Sequence, residues 1–211
     1  RENNIKVLAD IVLNHKMGAD ESEVVYAKEQ HAQDRNINTT KFKQIVAWTK
    51  YNFPNRKNKY SEFKWDYTHF DGTDWDEKSK KTAVYRFGGK HWDENVDKEN
   101  GNYDYLMGTD IDLNNKEVIE ELEKWGKWYL NITNVDGFRL DALKHMSTNF
   151  MANWMEKMRQ EKNIKCVGEY WSRNMESLAN YFEKTDYEIP LFDVPLHYNF
   201  FDASNSRGNY D

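Results

Sequence analysis

From Ile5 to Leu13 the chain reads IKVLADIVL, a nearly continuous apolar run with β-branched residues, which predicts a strand buried on both faces of a parallel sheet. The run ends at Asn14 and His15, polar residues placed where such a strand would emerge. The stretch from 16 to 115 has another texture, with many aromatics, Asp and Asn and the Gly88-Gly89 pair. No helical period is sustained through its middle, although Ser22 to Gln33 is expected to form a short helix. It reads as an irregular, β-rich insertion. Regular alternation resumes at Asn114-Asn115, an N-cap signal followed by Val118, Ile119, Leu122, Trp125 and Tyr129 at helical spacing.

Next come a strand at Val135 to Leu140 and a helix capped by Ser147, with Phe150, Met151, Trp154, Met155 and Met158 on one face as core packing. A strand at Ile164 to Gly168, a helix carrying Leu178, Tyr181 and Phe182, and an apolar run at Ile189 to Val194 complete the pattern. Buried strands alternating with amphipathic helices make parallel βα units, in a doubly wound sheet or a (β/α) barrel. Polar and charged residues collect at each strand's C-terminal end: Asn14 and His15, Arg139 and Asp141, Glu169, and Asp193. A barrel builds its site along that rim, whereas a doubly wound sheet concentrates it at one switch point. The barrel is the better match.

Composition narrows the function classes. The 211 residues carry a net charge of -6, and aromatics make up 15% of them, too many for a disordered chain. No basic stripe is present for a nucleic-acid backbone, and the Lys78 to Lys81 cluster sits among Asp74, Asp76 and Glu77 as a solvated loop. No run approaches the roughly 18 apolar residues of a membrane span. Cys166, the single cysteine, lies in an apolar run and is expected to be a buried thiol. The opening Arg-Glu-Asn-Asn, without a methionine or an apolar leader, is expected to lie mid-protein or after processing, and leaves secreted and cytoplasmic locations equally open.

Two carboxylates carry the candidate chemistry. Arg139 and Asp141 stand at i and i+2, on the same side of a strand, so the guanidinium favours an ionised carboxylate such as a glycosyl nucleophile requires. Glu169 closes the next strand in Val167-Gly168-Glu169-Tyr170-Trp171, among apolar neighbours whose desolvation raises a carboxyl pKa and suits a general acid. Neighbouring strand ends bring two carboxyls to the about 5 to 5.5 Å separation of retaining glycosidases.

These residues carry a family resemblance. Asp10-Ile-Val-Leu-Asn14-His15, Gly137 to His145, and Val167 to Trp171 are similar, in order and spacing, to three signatures of the α-amylase family of glycoside hydrolases, and above all to its bacterial liquefying members. His69 to Asp76 and Asn102 to Asp112 resemble their calcium-binding domain B. The resemblance implies an α/β fold: a partial (β/α)8 TIM barrel, about strands 3 to 6, with an inserted irregular β-rich domain B. Residues 1–15 would hold barrel strand 3, 16–115 the insertion, and 116–211 the barrel from helix 3 to about helix 6. It also implies retaining endo-hydrolysis of internal α-1,4-glucosidic bonds in starch, glycogen and related polysaccharides. Asp141 matches the nucleophile and Glu169 the acid/base. His15, Arg139, Lys144, His145 and Trp171 match substrate-binding residues, with Tyr170 as a second aromatic platform. Asp10 matches a buried partner of Arg139.

Calcium takes six to eight oxygen ligands. Spacing alone reads the insertion's acids as solvated loops, since no EF-hand pattern is present. The resemblance instead implies Ca2+, with Na+ as an optional companion: Asn14, Asp104, Asp110 and the His145 carbonyl at a main site, and Asp71, Asp93 and Asp112 with the His91 carbonyl at a second. The expected partner is an α-glucan, with no nucleic acid or membrane, and the complete enzyme is expected to be a monomer. An α-glucan transglycosylase and a non-catalytic glycan-binding barrel are the competing readings. The family's Phe-x-x-Asn-His-Asp signature, source of a third carboxylate, is absent from these residues, so the stretch alone is expected to be inactive.

Overall fold

A computed structural model describes residues 3–209; the outermost residues of the first and last predicted segments, 1–2 and 210–211, lie outside them. Two sheets share one apolar core. The first is parallel and three-stranded, β1 (Leu8–Ile11), β9 (Gly137–Leu140) and β10 (Lys165–Gly168), with β9 in the centre. The second is antiparallel and comes from the chain between β1 and β9. It comprises β2 (His15–Lys16), β3 (Glu21–His31), β4 (Asp34–Asn38), β5 (Lys43–Lys50), β6 (Phe70–Asp76), β7 (Lys81–Phe87) and β8 (Thr109–Ile111). Its order is β2-β8-β6-β7-β3-β4, with β5 paired along β3.

Four helices follow: α1 (Lys116–Thr133), α2 (Thr148–Glu161), α3 (Met175–Lys184) and α4 (Val194–Asn205). Among the described residues, none is long and apolar enough to cross a membrane. The Asn115 side chain accepts from Glu117 N–H and starts α1, and the Ser147 hydroxyl accepts from Phe150 N–H and starts α2. Val118, Leu122 and Leu130 of α1 meet the fully buried Trp154, Met155 and Met158 of α2. The Trp154 ring packs tilted on Phe138 of β9 with ring centroids 5.6 Å apart. The sheet's central strand is thereby clamped from one side. Cys166 is a buried free thiol, as expected.

Several sequence expectations need correction. Ser22 to Gln33 is not a helix, because its true period is two: Val25 and Ala27 are buried while Val24 and Tyr26 are exposed, a half-buried strand. The insertion is correspondingly more regular than its composition suggested. The Ile5 to Leu13 strand is shorter and buried on one face only: Ala9, Ile11 and Leu13 are covered while Leu8, Asp10 and Val12 are exposed. As an edge strand, β1 has no described layer over that second face. The Ile189 to Val194 run yields one bridge, Leu191 to Gly168, before α4 begins. Asp193 caps α4 by accepting from Leu196 N–H, so it serves the helix and not a strand rim.

Gly137 sets the closeness of β9 and β10. A Cβ there would lie 2.1 Å from the Lys165 carbonyl oxygen, a backbone atom that cannot step aside. Gly137→Ala is expected to destabilise by about 1–3 kcal/mol through overpacking. The check is a lower urea midpoint at unchanged m.

Candidate functional site

Register brings the two carboxylates together. Ile11, Leu140 and Gly168 are aligned across the three parallel strands, so Asp141 and Glu169 are the next residues past neighbouring strand ends. Backbone bonds hold the rim: Asp141 N–H donates to Ile11 O at 3.0 Å, and Glu169 N–H to Leu140 O at 2.8 Å. Leu143 N–H returns to Glu169 O at 2.9 Å, folding the loop after β9 over the loop after β10.

One guanidinium serves three carboxylates. Arg139 Nη1 donates to Asp141 Oδ1 and, at 2.8 Å, to Asp10 Oδ1, while Nη2 lies 3.1 Å from Glu169 Oε2. Glu169 Oε2 also accepts from Ala142 N–H at 3.3 Å. Burial alone would lower the Arg139 pKa, but the bonds to Asp10 and Asp141 and the charge of Glu169 raise it overall. Asp10 is the expected partner of Arg139 yet is not buried, its side chain being 66% exposed on the open face of β1.

The cleft beside this triad has a volume of about 760 Å3, and His15, Lys144, His145 and Trp171 line it with Asp141 and Glu169. That size is typical of small-molecule sites. His15 Nδ1 lies 3.1 Å from Asn14 Oδ1, and burial lowers its pKa against the opposing charges of Asp141 and Asp74. His145 Nδ1 lies 2.7 Å from Tyr103 O, and burial takes its pKa to about 4, leaving a neutral imidazole near neutral pH. Lys144 is buried, ion-paired with Glu99, and donates to Trp171 O at 3.2 Å. Trp171 is 45% exposed and forms a ring cluster with His197 and Tyr198. Tyr170 is no platform: it is buried, and its hydroxyl donates to Asp97 Oδ2 at 2.5 Å.

The acidic cluster lies where the two sheets meet. Asp71 of β6 and Asp110 of β8 approach because Gly72 pairs with Asp110, and Asp104 joins them. All three are buried, with carboxylate oxygens within 4.8 Å of one another. Burial, then mutual repulsion, raises the Asp71 and Asp110 pKa values well above the carboxylate norm. Burial dominates at Asp104 as well, whose pKa is likewise raised. Asp110 Oδ2 is buried with no hydrogen-bond partner among the described residues. Asn14 Nδ2 donates to Asp110 Oδ1 at 3.4 Å, to Asp104 O at 3.5 Å and to His145 O at 3.1 Å. Three clustered carboxylates, one with an orphaned oxygen, suit a hard cation, and these three residues could hold one.

The grouping differs from the two sites expected. Asp71 joins Asp104 and Asp110, whereas Asp112 is ion-paired with Lys90 and Asp93 Oδ2 accepts from Asn114 Nδ2 at 3.2 Å. Both stand behind the cluster and add to its negative potential. Sequence reasoning missed Glu99 and Tyr103. Tyr103 sits inside the Asn102-Tyr-Asp104 segment, and only its acid had been singled out.

No family model matches the chain. An α-amylase of Geobacillus stearothermophilus is 51% identical over 211 residues, covering 98% of this chain and 38% of the relative. A glucan 1,4-α-maltohexaosidase of Bacillus sp. (strain 707) is 47% identical, over 100% of this chain and 42% of its own length. An α-amylase of Bacillus licheniformis is 48% identical, over 99% and 41%. The chain thus spans about two-fifths of the length of these curated relatives.

Proposed function

The chain belongs to the α-amylase family of glycoside hydrolases, and from that premise we propose that the protein carrying it cleaves internal α-1,4-glucosidic bonds of starch, glycogen and related glucans with retention. The observation that supports this is Asp141 and Glu169 on adjacent parallel strand ends, bridged by Arg139. Asp141 attacks the anomeric carbon while Glu169 protonates the departing oxygen; Glu169 then deprotonates the water that cleaves the glycosyl–Asp141 ester. Arg139 compensates the two negative charges and fixes their separation. Its Nη2 contact at 3.1 Å holds the Glu169 carboxyl beside Asp141 at the rim. His15 and neutral His145 hydrogen-bond the sugar at the cleavage point. Lys144 and Trp171 act on the leaving-group side.

The parallel sheet and its helices are, in this reading, strands 3 to 6 of a (β/α)8 barrel: residues 1–15 and 116–211, with 16–115 as domain B. Asp71, Asp104 and Asp110, with Asn14 and the His145 carbonyl beside them and Asp93 and Asp112 behind, would hold Ca2+, optionally with Na+. A bound cation would supply charge compensation that ties the antiparallel sheet to the rim of the parallel one.

The test is to incubate the full-length protein with amylose and follow new reducing ends by NMR. Appearance of α-anomers first is expected. Initial β-anomers, predominant transfer products, or no cleavage would overturn the reading. Residues 1–211 expressed alone are expected to release no reducing ends from soluble starch, because β1 and β10 then present unclosed sheet edges and Asp141 loses its fixed placement. Specific activity comparable to that of the full-length protein would contradict this.

A further inference from the structure

Every polar atom of Asp97 is engaged where the chain between β7 and β8 meets the rim of the parallel sheet. Its N–H donates to Lys144 O at 3.1 Å, and its carbonyl accepts from Tyr103 N–H at 2.9 Å. Carboxylate Oδ1 accepts from Glu99 N–H at 2.8 Å, and Oδ2 accepts from the Tyr170 hydroxyl at 2.5 Å. Tyr170 directly follows Glu169; it is buried, with its ring centroid 5.2 Å from that of Tyr181 on α3. Burial, then the bond to Asp97, pushes the phenol pKa up, so the hydroxyl stays a donor.

The loops behind the two carboxylates are tied to the insertion unequally. The loop after β9 is held at several points: Asp97 N–H on Lys144 O, Tyr103 O at 2.7 Å from His145 Nδ1, and Thr148 N–H on Asn95 O at 3.1 Å. The segment from Glu169 to Asn174 meets the insertion through one direct hydrogen bond among the described residues, the one from Tyr170 to Asp97. Trp171 O reaches it indirectly, through Lys144 and that lysine's ion pair with Glu99. On its other side Glu169 is fixed at the strand end, N–H to Leu140 O and carbonyl from Leu143 N–H.

A general acid works within about 2.6–3.2 Å of the oxygen it protonates, so a small swing of the backbone at Glu169 weakens proton transfer. Asp141 is anchored independently and keeps its aim when the β10 loop moves. We propose that Asp97 is a positioning residue for the cleavage reaction: through the Tyr170 hydroxyl it fixes the segment behind Glu169 and aims the acid, while leaving the nucleophile unaffected. The inference rests on the retaining-hydrolase reading above. It gives the insertion a part in acid catalysis that is separate from its acidic cluster.

The experiment uses the full-length protein. Asp97→Ala and Tyr170→Phe are each expected to lower kcat on starch by about 10- to 100-fold, with KM little changed. First-turnover fluoride release from α-maltosyl fluoride, whose leaving group needs no proton from Glu169, is expected to stay at the parental rate. The double variant is expected to lose no more than the larger single loss, because both changes remove the same bond. Tyr170→Phe keeps the ring on Tyr181, and it decides the question if Asp97→Ala fails to fold. A residue that served packing alone would slow both substrates equally. Equal losses on starch and fluoride, additive losses in the double variant, or parental starch activity in folded Tyr170→Phe would overturn the proposal and leave the enzymatic reading intact. Absence of starch cleavage by the unmodified protein refutes that reading itself.

Discussion

Asp141→Asn in the full-length protein is expected to lower kcat on starch by at least about a thousandfold, because among the described residues no other carboxylate paired with Arg139 besides Glu169 lines the cleft to form the glycosyl ester in its place. Asp10 is the remaining carboxylate on Arg139, and it projects from the exposed face of β1 with its side chain 66% accessible. The fold should survive, since Asn is nearly isosteric and Arg139 keeps its contacts to Asp10 and Glu169. Glu169→Gln is expected to cost about 10²–10⁴-fold, the usual weight of general acid–base catalysis. The two losses have different signatures. A substrate whose leaving group departs without protonation, such as a glycosyl fluoride, should recover its bond-breaking step in Glu169→Gln and show no recovery in Asp141→Asn. Retention of a tenth of parental kcat on starch by either folded variant would remove the assignment. Recovery in Asp141→Asn would exchange the two roles.

How far these roles could be read in advance depended on sequence distance. The strand ends at Asp141 and Glu169 were legible because each terminates a short apolar run directly followed by a capped helix, all within local sequence. The caps at Asn115 and Ser147 and the Met and Trp stripe of α2 were legible for the same reason. By contrast, β3 hid its period: Glu21 to Gln30 interleaves charged residues with Val24, Val25, Tyr26 and Ala27, and only its pairing with β5 and β7 decides which side is inside. The burial of β1 was overestimated because an apolar sequence does not state how many layers cover it. The acidic cluster was least legible. Asp71 and Asp110 meet through the antiparallel register of β6 on β8, which carries a bulge between Phe70 and Gly72 that composition does not encode. Lys90 and Asn114, which claim Asp112 and Asp93, are ordinary surface residue types whose placement is purely tertiary.

Chelation is expected to destabilise the full-length protein at neutral pH, and the size of the effect should grow as pH rises. Asp71, Asp104 and Asp110 are buried together, and Asp110 Oδ2 has no hydrogen-bond partner among the described residues to offset its desolvation. In the metal-free fold all three pKa values are raised well above 3.8. A raised folded-state value means that the folded protein binds more protons than the unfolded one. Stability is then fully present below the unfolded value and is lost as pH climbs through the raised ones. A cation reverses that dependence, because it binds the deprotonated carboxylates and competes with protons that leave as pH rises. The difference in Tm between calcium-loaded and chelated protein should therefore be small near about pH 5 and large near about pH 8. At a hundredfold excess over Kd the bound ion contributes about 2.7 kcal/mol. Asp110→Asn supplies the control. Removing one of three crowded charges should stabilise the chelated protein at the higher pH and weaken calcium's added protection, since the same oxygen that repels its neighbours is the one left to meet the ion. Equal Tm with and without chelator at the higher pH, or a calcium effect that shrinks as pH rises, would show that these carboxylates do not act as a cation site.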